Sequence, residues 1–541
     1  MKKLLLSTIV IIVSLLLVLT GCGSDETTPV TSTTTTKTTA TTQTTTSTAS
    51  QTTATTTTAT TTPSNSEDMY GGIYHYGLSV APGTPLGYPV ESAPDAGLIA
   101  GLALERLLLV GDGGIAYPRL AESWDIDVAG NTMTFHLRQG VKFTDGSDLN
   151  AEVVKWNLDL YMEAGKATNW SAVDIVDDHT VKVTVKGYQN TALSGASGYM
   201  IASKAAFDKH GIDWARENPV GTGPFIFVEH ERGSRVYFEK NPDYWEAGKP
   251  YLDGVEFVVI TDPTVRSLAF KRGDTDGMLA SGLDAQELLE LGFPYVQRTG
   301  GTYVLIPDSA NPDSPMSDLK VRQAISYAID RESLATNLGF GFLRPAYQLY
   351  PGFEATAIPG FQGEQFNPEK AKQLLTEAGY PDGFQTTIHA FTRVVKNEYI
   401  LAIAAMLDEV GIQTTPDFPE AGKYTEYRFG SWQNAMMGHG FAQWDNFNSA
   451  WDFYFGPTQF KSAIRPAEYI AAKDASLAAP ESDPVLVQKV IQTLHDYQML
   501  IPYVEEVITY FERPGAHDEG AKMAPQTQFW SHLAWLEPDA R

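Results

Sequence analysis

Beyond Asp68 the chain runs to Arg541 without a second low-complexity break, and that uninterrupted patterned length is its strongest constraint. A single hydrophobic core stops growing near about 250–300 residues, so a stretch of this size divides into two or three globular lobes. Its elements are of both kinds. At 131–138, Met133, Phe135 and Leu137 alternate with Thr134, His136 and Arg138, the period of a half-buried strand. Val181, Val183 and Val185 repeat it, and the β-branched run 255–260, stopped by Asp262 and Pro263, reads as a buried strand. Val321, Ala324, Ile325, Ala328 and Ile329 form a helical stripe that Asp318 or Ser317 could cap. In 367–379, Asn367 suits a helix N-cap, Pro368 its first turn and Gly379 its left-handed end. The expected class is α/β, with mixed α+β lobes.

The amino terminus has a secretory layout: Lys2 and Lys3, an apolar run over 4–18, then Leu19, Thr20, Gly21 and Cys22. The run is too short for a membrane anchor, because spanning ~30 Å of hydrocarbon takes about 20 apolar residues. Small residues before a cysteine resemble the lipobox of bacterial lipoproteins. That resemblance implies a signal peptide over 1–21, lipid on Cys22 and an anchored protein on the outer face of the cytoplasmic membrane. Cys22 is the only cysteine, which leaves no internal disulfide and no thiolate metal cage. From Thr27 to Pro63 the chain is mostly Thr, with Ser, Ala and Gln, and lacks the apolar residues of a core. Residues 22–68 therefore read as a disordered tether, reaching roughly 35–40 Å as a flexible chain and open to O-glycosylation. The formal charge of −26, with 65 acids against 39 bases, excludes a nucleic-acid partner and suits solubility outside the cell.

Four groups of motifs recur in order. The first is Leu-Ala-Glu-Ser-Trp at 120–124, Thr-Phe-His-Leu-Arg at 134–138, Gly-Val-Lys-Phe-Thr-Asp-Gly at 140–146 and Ala-Glu-Val-Val at 151–154. Next comes Pro-Val-Gly-Thr-Gly-Pro-Phe at 219–225 and Asn-Pro-Asp-Tyr-Trp at 241–245, with Gly273, Asp274 and Asp276 downstream. Val-Arg-Gln-Ala-Ile-Ser-Tyr-Ala-Ile-Asp-Arg at 321–331 and Ala-Lys-Gln-Leu-Leu-Thr-Glu-Ala-Gly-Tyr-Pro-Asp-Gly at 371–383 complete the set. Together they resemble the family 5 extracellular solute-binding proteins of ABC importers, which take oligopeptides, dipeptides, nickel complexes and some sugars. The resemblance implies a two-lobed periplasmic-binding-protein fold with an extra subdomain on the first lobe and a ligand cleft between lobes. Lobe I would take 69–110, 219–309 and 508–541, the inserted subdomain 111–218, and lobe II 310–507. It implies a monomer without cofactor that captures a solute, a peptide foremost, and delivers it to an ABC permease. Gly221, Gly223 and Pro224 read as a tight turn in which glycine takes positive φ freely, not as a phosphate cradle, since no P-loop Lys-Ser or Lys-Thr follows. Tyr244 and Trp245 read as core packing.

Peptide-binding members carry a cleft loop where 431–446 falls, with a Trp and, three residues later, an Asp that pairs with the peptide ammonium. Counted without gaps from Gly438, those positions are His439 and Ala442; Asp445 takes the acid's place in a loop three residues longer. The site expected there comprises Trp432, His439, Phe441, Trp444, Asp445, Asn446 and Trp451. Its aromatic density suits sugar stacking as well as a peptide side-chain pocket. His439 keeps a nickel complex open, although no metal site is expected. The rival class is an anchored extracellular hydrolase, but no G-x-S-x-G or H-E-x-x-H occurs and the sole cysteine is taken by the anchor, so no catalytic residue is named. A sensor subunit of the same fold would differ only in partner.

Overall fold

The alternation read at 131–138 becomes the strand Thr132–Leu137, with Met133 and Phe135 fully buried. The structure, a computed structural model, describes residues 66–541 except 93, 112–115, 354, 443–445 and 521–530. Cys22 and the Thr-rich stretch therefore lie outside the described residues, as do Trp444 and Asp445. Thr132–Leu137 pairs antiparallel with Ala121–Asp127 and with Thr180–Val185, and Trp170–Asp177 completes a four-stranded sheet. The helix Ala151–Glu163 covers it, started by Asn150, whose side chain accepts from the Val153 N–H at 3.0 Å. Val154, Leu158 and Tyr161 of that helix share a core with the sheet's inward residues, all drawn from 90–201.

The second sheet is longer and organises the rest. Its eleven strands run, edge to edge, Ile412–Asp417, Phe384–Ala390, Ala435–Phe441, Tyr295–Pro307, Ile501–Glu512, Gly277–Ala280, Ile73–Leu78, Gly254–Val259, Arg235–Lys240 and Phe225–Glu231, with Leu343–Pro345 beside Ile501–Glu512. At one end Phe384–Ala390 is parallel to both its neighbours. At the other, Ile73–Leu78 is parallel to Gly254–Val259 and Gly277–Ala280. Two long antiparallel strands, Tyr295–Pro307 and Ile501–Glu512, join these parallel sets. Successive side chains point to opposite faces, so Leu305 enters one core while Val304 and Ile306 enter another. A further core around Tyr74, Phe225, Phe257 and Leu536 fills the other half.

Helix starts follow the local chemistry. Asn367 caps Pro368–Glu377 by accepting from the Lys370 N–H, and Gly379 takes φ +91° after it. Of the candidates ahead of the 321–329 stripe, Asp318 is the cap, accepting from the Lys320 N–H at 2.8 Å.

Buried polar hubs fix the joints. Glu105 accepts from Arg119, Thr222, Tyr244 and Trp245 at 2.6–2.9 Å, which ties the four-stranded part to the long sheet. Tyr244 is thus buried and Trp245 half-buried against the core, where Arg138 also lies over the Trp245 ring. Gly221 and Gly223 are needed for a different reason from the turn expected of them. Neither has positive φ; a Cβ on Gly221 would lie 2.1 Å from the Ala103 carbonyl oxygen, and one on Gly223 2.3 Å from that of Leu102. Close backbone approach, not turn geometry, demands glycine there.

Candidate functional site

The registers of the long sheet show where its two parallel sets meet. Ala280, the last residue of Gly277–Ala280, lies opposite Thr509, which lies opposite Gln297. Phe441, the last residue of Ala435–Phe441, lies opposite Thr302. The carboxyl ends of the two parallel sets therefore face each other across 298–301 of one joining strand. In open α/β sheets ligands bind outside the carboxyl ends of the strands. At 298–301 stand Gly300 and Gly301, and the pairing with Ile501–Glu512 slips between Thr299 and Thr302, a bulge that lets the ribbon bend.

Around this bend the packing is close. A Cβ on Gly301 would sit 2.7 Å from the Phe441 carbonyl oxygen, and one on Gly352 2.0 Å from Thr299 Oγ1. Tyr350 spans the gap: its N–H donates to Thr302 Oγ1 and its hydroxyl to the Ala442 carbonyl, each at 2.9 Å. Glu505 lies opposite Thr302 and is fully buried. Its Oε1 accepts from the Gly352 N–H at 3.1 Å, while Oε2 has no hydrogen bond and only Arg344 Nη1 at 3.9 Å. Burial pushes its carboxyl up to about 7, against the opposing pull of the Gly352 N–H and the Arg344 charge.

The residues expected to touch ligand fall in several environments. Trp432, Phe441 and Trp451 are side chains of one hydrophobic core, all but sealed from solvent. Trp432 precedes Ala435, at the amino end of its strand and away from the converging carboxyl ends; its Nε1 donates to the Ala435 carbonyl. Phe441 packs on Tyr454 with ring centroids 4.2 Å apart, and Trp451 lies near Tyr350. His439 is buried with them, its Nδ1 2.6 Å from the Tyr424 hydroxyl. Burial, helped by the nearby Arg428 charge, pushes its imidazole down to about 3, so it stays neutral. Asn446 caps Phe447–Phe455 through Oδ1, which accepts from the Asn448 N–H, and turns its amide nitrogen to Asn190. Among the described residues no group of three or more His, Cys, Asp or Glu side chains could hold a metal ion, and no helix is long and apolar enough to cross a membrane. Reasoning from sequence missed Tyr350, Glu505 and Asn190. The Gly300-Gly301 pair inside a strand pattern and the acids of 505–506 inside an apolar run were the available signals.

Residues 116–461 match the family described as bacterial extracellular solute-binding proteins, family 5 middle. The glutathione-binding protein GsiB of Salmonella typhi is 32% identical over 324 residues, 56% of this chain and 61% of that protein. GsiB of Escherichia coli O157:H7 is 30% identical over 317 residues. The chain thus spans about 61% of the length of the curated relatives it matches. Among solved structures, the ABC transporter substrate-binding protein CtaP of Listeria monocytogenes superposes with a TM-score of 0.75 at 20% identity, covering 86% of this chain and 100% of that one. The Helicobacter pylori binding protein DppA, in complex with the peptide STSA, gives 0.67 at 21% identity, covering 87% and 99%. The fold is that of the two-lobed periplasmic binding proteins.

Proposed function

The chain belongs to family 5 of the bacterial extracellular solute-binding proteins, and from that premise we propose that it captures peptides outside the cytoplasm and hands them to an ABC permease. The observation that carries the reading is the convergence of two sets of strand ends on a glycine-bearing bend, which gives a cleft two walls and a means of closing. The walls are lobe I, at 69–110, 219–309 and 508–541 with its insert at 111–218, and lobe II at 310–507. Relatives support the ligand class, since DppA holds a peptide and the oligopeptide-binding protein AppA of Bacillus subtilis a nonapeptide. The protein works as a monomer, held by lipid on Cys22, and returns its ligand chemically unchanged.

Trp444 and Asp445 are the contacts to test, because in sequence they come three and four positions after Phe441, the last residue of its strand. Asp445 takes the peptide ammonium and Trp444 offers a stacking face. Titration calorimetry of the full-length chain with glutathione, dipeptides and tetrapeptides should show saturable binding. Asp445→Asn should weaken it by about 2–5 kcal/mol, since a cation would be left buried and unpaired. If no peptide in that panel binds, the reading is wrong; if only Trp444→Ala weakens binding, stacking carries the affinity and Asp445 does not take the ammonium. Cys22→Ser should abolish lipid labelling, and persistent labelling would remove the anchor from the proposal.

A further inference from the structure

Asn190 stands at the amino end of the helix Thr191–Gly198, where an asparagine side chain ordinarily accepts from the free N–H groups of the first turn. It makes no such bond, and its own backbone is already helical at φ −63° and ψ −14°. A residue type well suited to capping has been diverted, and such local exceptions mark places where another demand prevails. Its polar groups are spent on the region 446–481 of the long-sheet part. The side-chain nitrogen donates to the carbonyls of Ser476 at 2.8 Å and Glu481 at 3.2 Å. The side-chain oxygen accepts from the amide nitrogens of Asn448 at 3.1 Å and Asn446 at 3.3 Å. The backbone N–H donates to the Leu477 carbonyl at 2.9 Å, and the backbone carbonyl lies 3.4 Å from the Asn446 amide nitrogen.

The receiving side is prearranged. Ser476 Oγ donates to Asn448 Oδ1 at 2.6 Å, which fixes the direction of that amide and aims its nitrogen at Asn190. Nearby, the Tyr188 hydroxyl donates to the Pro480 carbonyl at 2.6 Å. Asn190, Asn446, Asn448 and Ser476 are all buried.

The hydrophobic cores behind the two sides share no residue: one draws on 90–201, the other on 304–500. Alongside the junction runs an open groove of about 670 Å³, walled by Trp124, Asp125 and Ile126 on one side and by Ala479, Pro480 and Glu481 on the other. Water thus reaches the flank of a joint made of amides, hydroxyls and carbonyls. Such a joint separates by exchanging protein hydrogen bonds for water, without tearing an apolar core.

We infer that Asn190 is a latch: it holds the four-stranded part against the 446–481 region and so sets the closed population, and with it the affinity of the cleft, without touching the solute. The consequence for affinity rests on the solute-binding reading above; the latch itself is a property of the ligand-free protein. When the binding-competent state is only partly populated, apparent affinity falls by that fraction. Asn190 is a positioning residue in this sense.

Hydrogen exchange read by mass spectrometry on the ligand-free full-length chain tests it. In Asn190→Ala, exchange over 446–455 and 476–481 should accelerate roughly tenfold or more, as expected for a local opening equilibrium. Thr132–Leu137 and Ala151–Glu163, on the same side as Asn190, should keep wild-type rates. Ser476→Ala removes only the bond that orients Asn448 and should accelerate the same segments, by less. Unchanged exchange there in both variants overturns the latch. If Asn190→Ala loosens the whole chain, Ser476→Ala decides alone, local acceleration supporting the latch and wild-type exchange overturning it. With glutathione or a tetrapeptide as probe, Asn190→Ala should raise the dissociation rate while leaving the association rate within about twofold. A wild-type chain that binds no peptide would defeat the functional reading, yet the exchange data would still decide the latch.

Discussion

Glu505 shows how one side chain can register pH at the bend of the protein. Its carboxyl is pushed up to about 7 from an ordinary 4.5, so between those values the folded chain binds a proton that the unfolded chain releases. Stability linked to this group is therefore present below about pH 4.5 and is lost as pH rises toward and through 7. Glu505→Gln should keep the shape, remove that loss and raise stability at pH 8 by about 3 kcal/mol, with little change at pH 4. Thermal melts of both proteins across that range check it; parallel curves would show that the carboxyl is not held protonated. The neighbouring aromatics teach a complementary lesson about reading side chains from sequence. Trp432, Phe441 and Trp451 were legible as a dense apolar group but not as a sealed one. Their burial depends on Tyr350, Tyr424 and Phe460, which come from other elements. Nothing in the local pattern separates a stacking face from a core face.

Elements were easier to read than sites. The strand at 132–137 and the helix at 368–377 follow from period and capping chemistry carried within a dozen residues, and the structure has both. What sequence did not show was the work of the charged residues in the 321–331 stretch. Arg331 is buried, yet its guanidinium donates to the carbonyls of Ser326, Ala346, Glu364 and Pro502 at 2.8–3.2 Å, joining the helix it begins to four other segments. Arg322 does the same for Met316, Ser317 and Tyr497. Burial pushes both guanidinium groups down to about 10, and each stays charged at neutral pH. Arg331→Met preserves much of the side-chain length but orphans several buried carbonyls at about 1–3 kcal/mol each. A loss of at least about 3 kcal/mol in denaturant unfolding is expected, and Arg331→Lys should recover only part of it because an ammonium lacks the planar fork. A loss below about 1 kcal/mol would mean that water replaces the guanidinium at little cost.

At the scale of the molecule, the family's fold was legible because its motifs mark structural joints, whereas the bend was not, since strand pairing across 200 residues of sequence leaves no local trace. Scattering should register its motion: saturating peptide is expected to lower the radius of gyration, because contact with both lobes is gained only on closing. Gly301→Ala should blunt that change and cost about 1–3 kcal/mol through overpacking against Phe441. An equal contraction and an unchanged melt in the variant would move the bend elsewhere. The joining strands have a mechanical consequence as well. Tyr295–Pro307 and Ile501–Glu512 each pass from one parallel set to the other within a single sheet. A force drawing the two ends apart would therefore load covalent backbone along both strands instead of unzipping hydrogen bonds one rung at a time. The device behaves as a leaf spring, soft to flexure at its glycines and stiff to tension along its length.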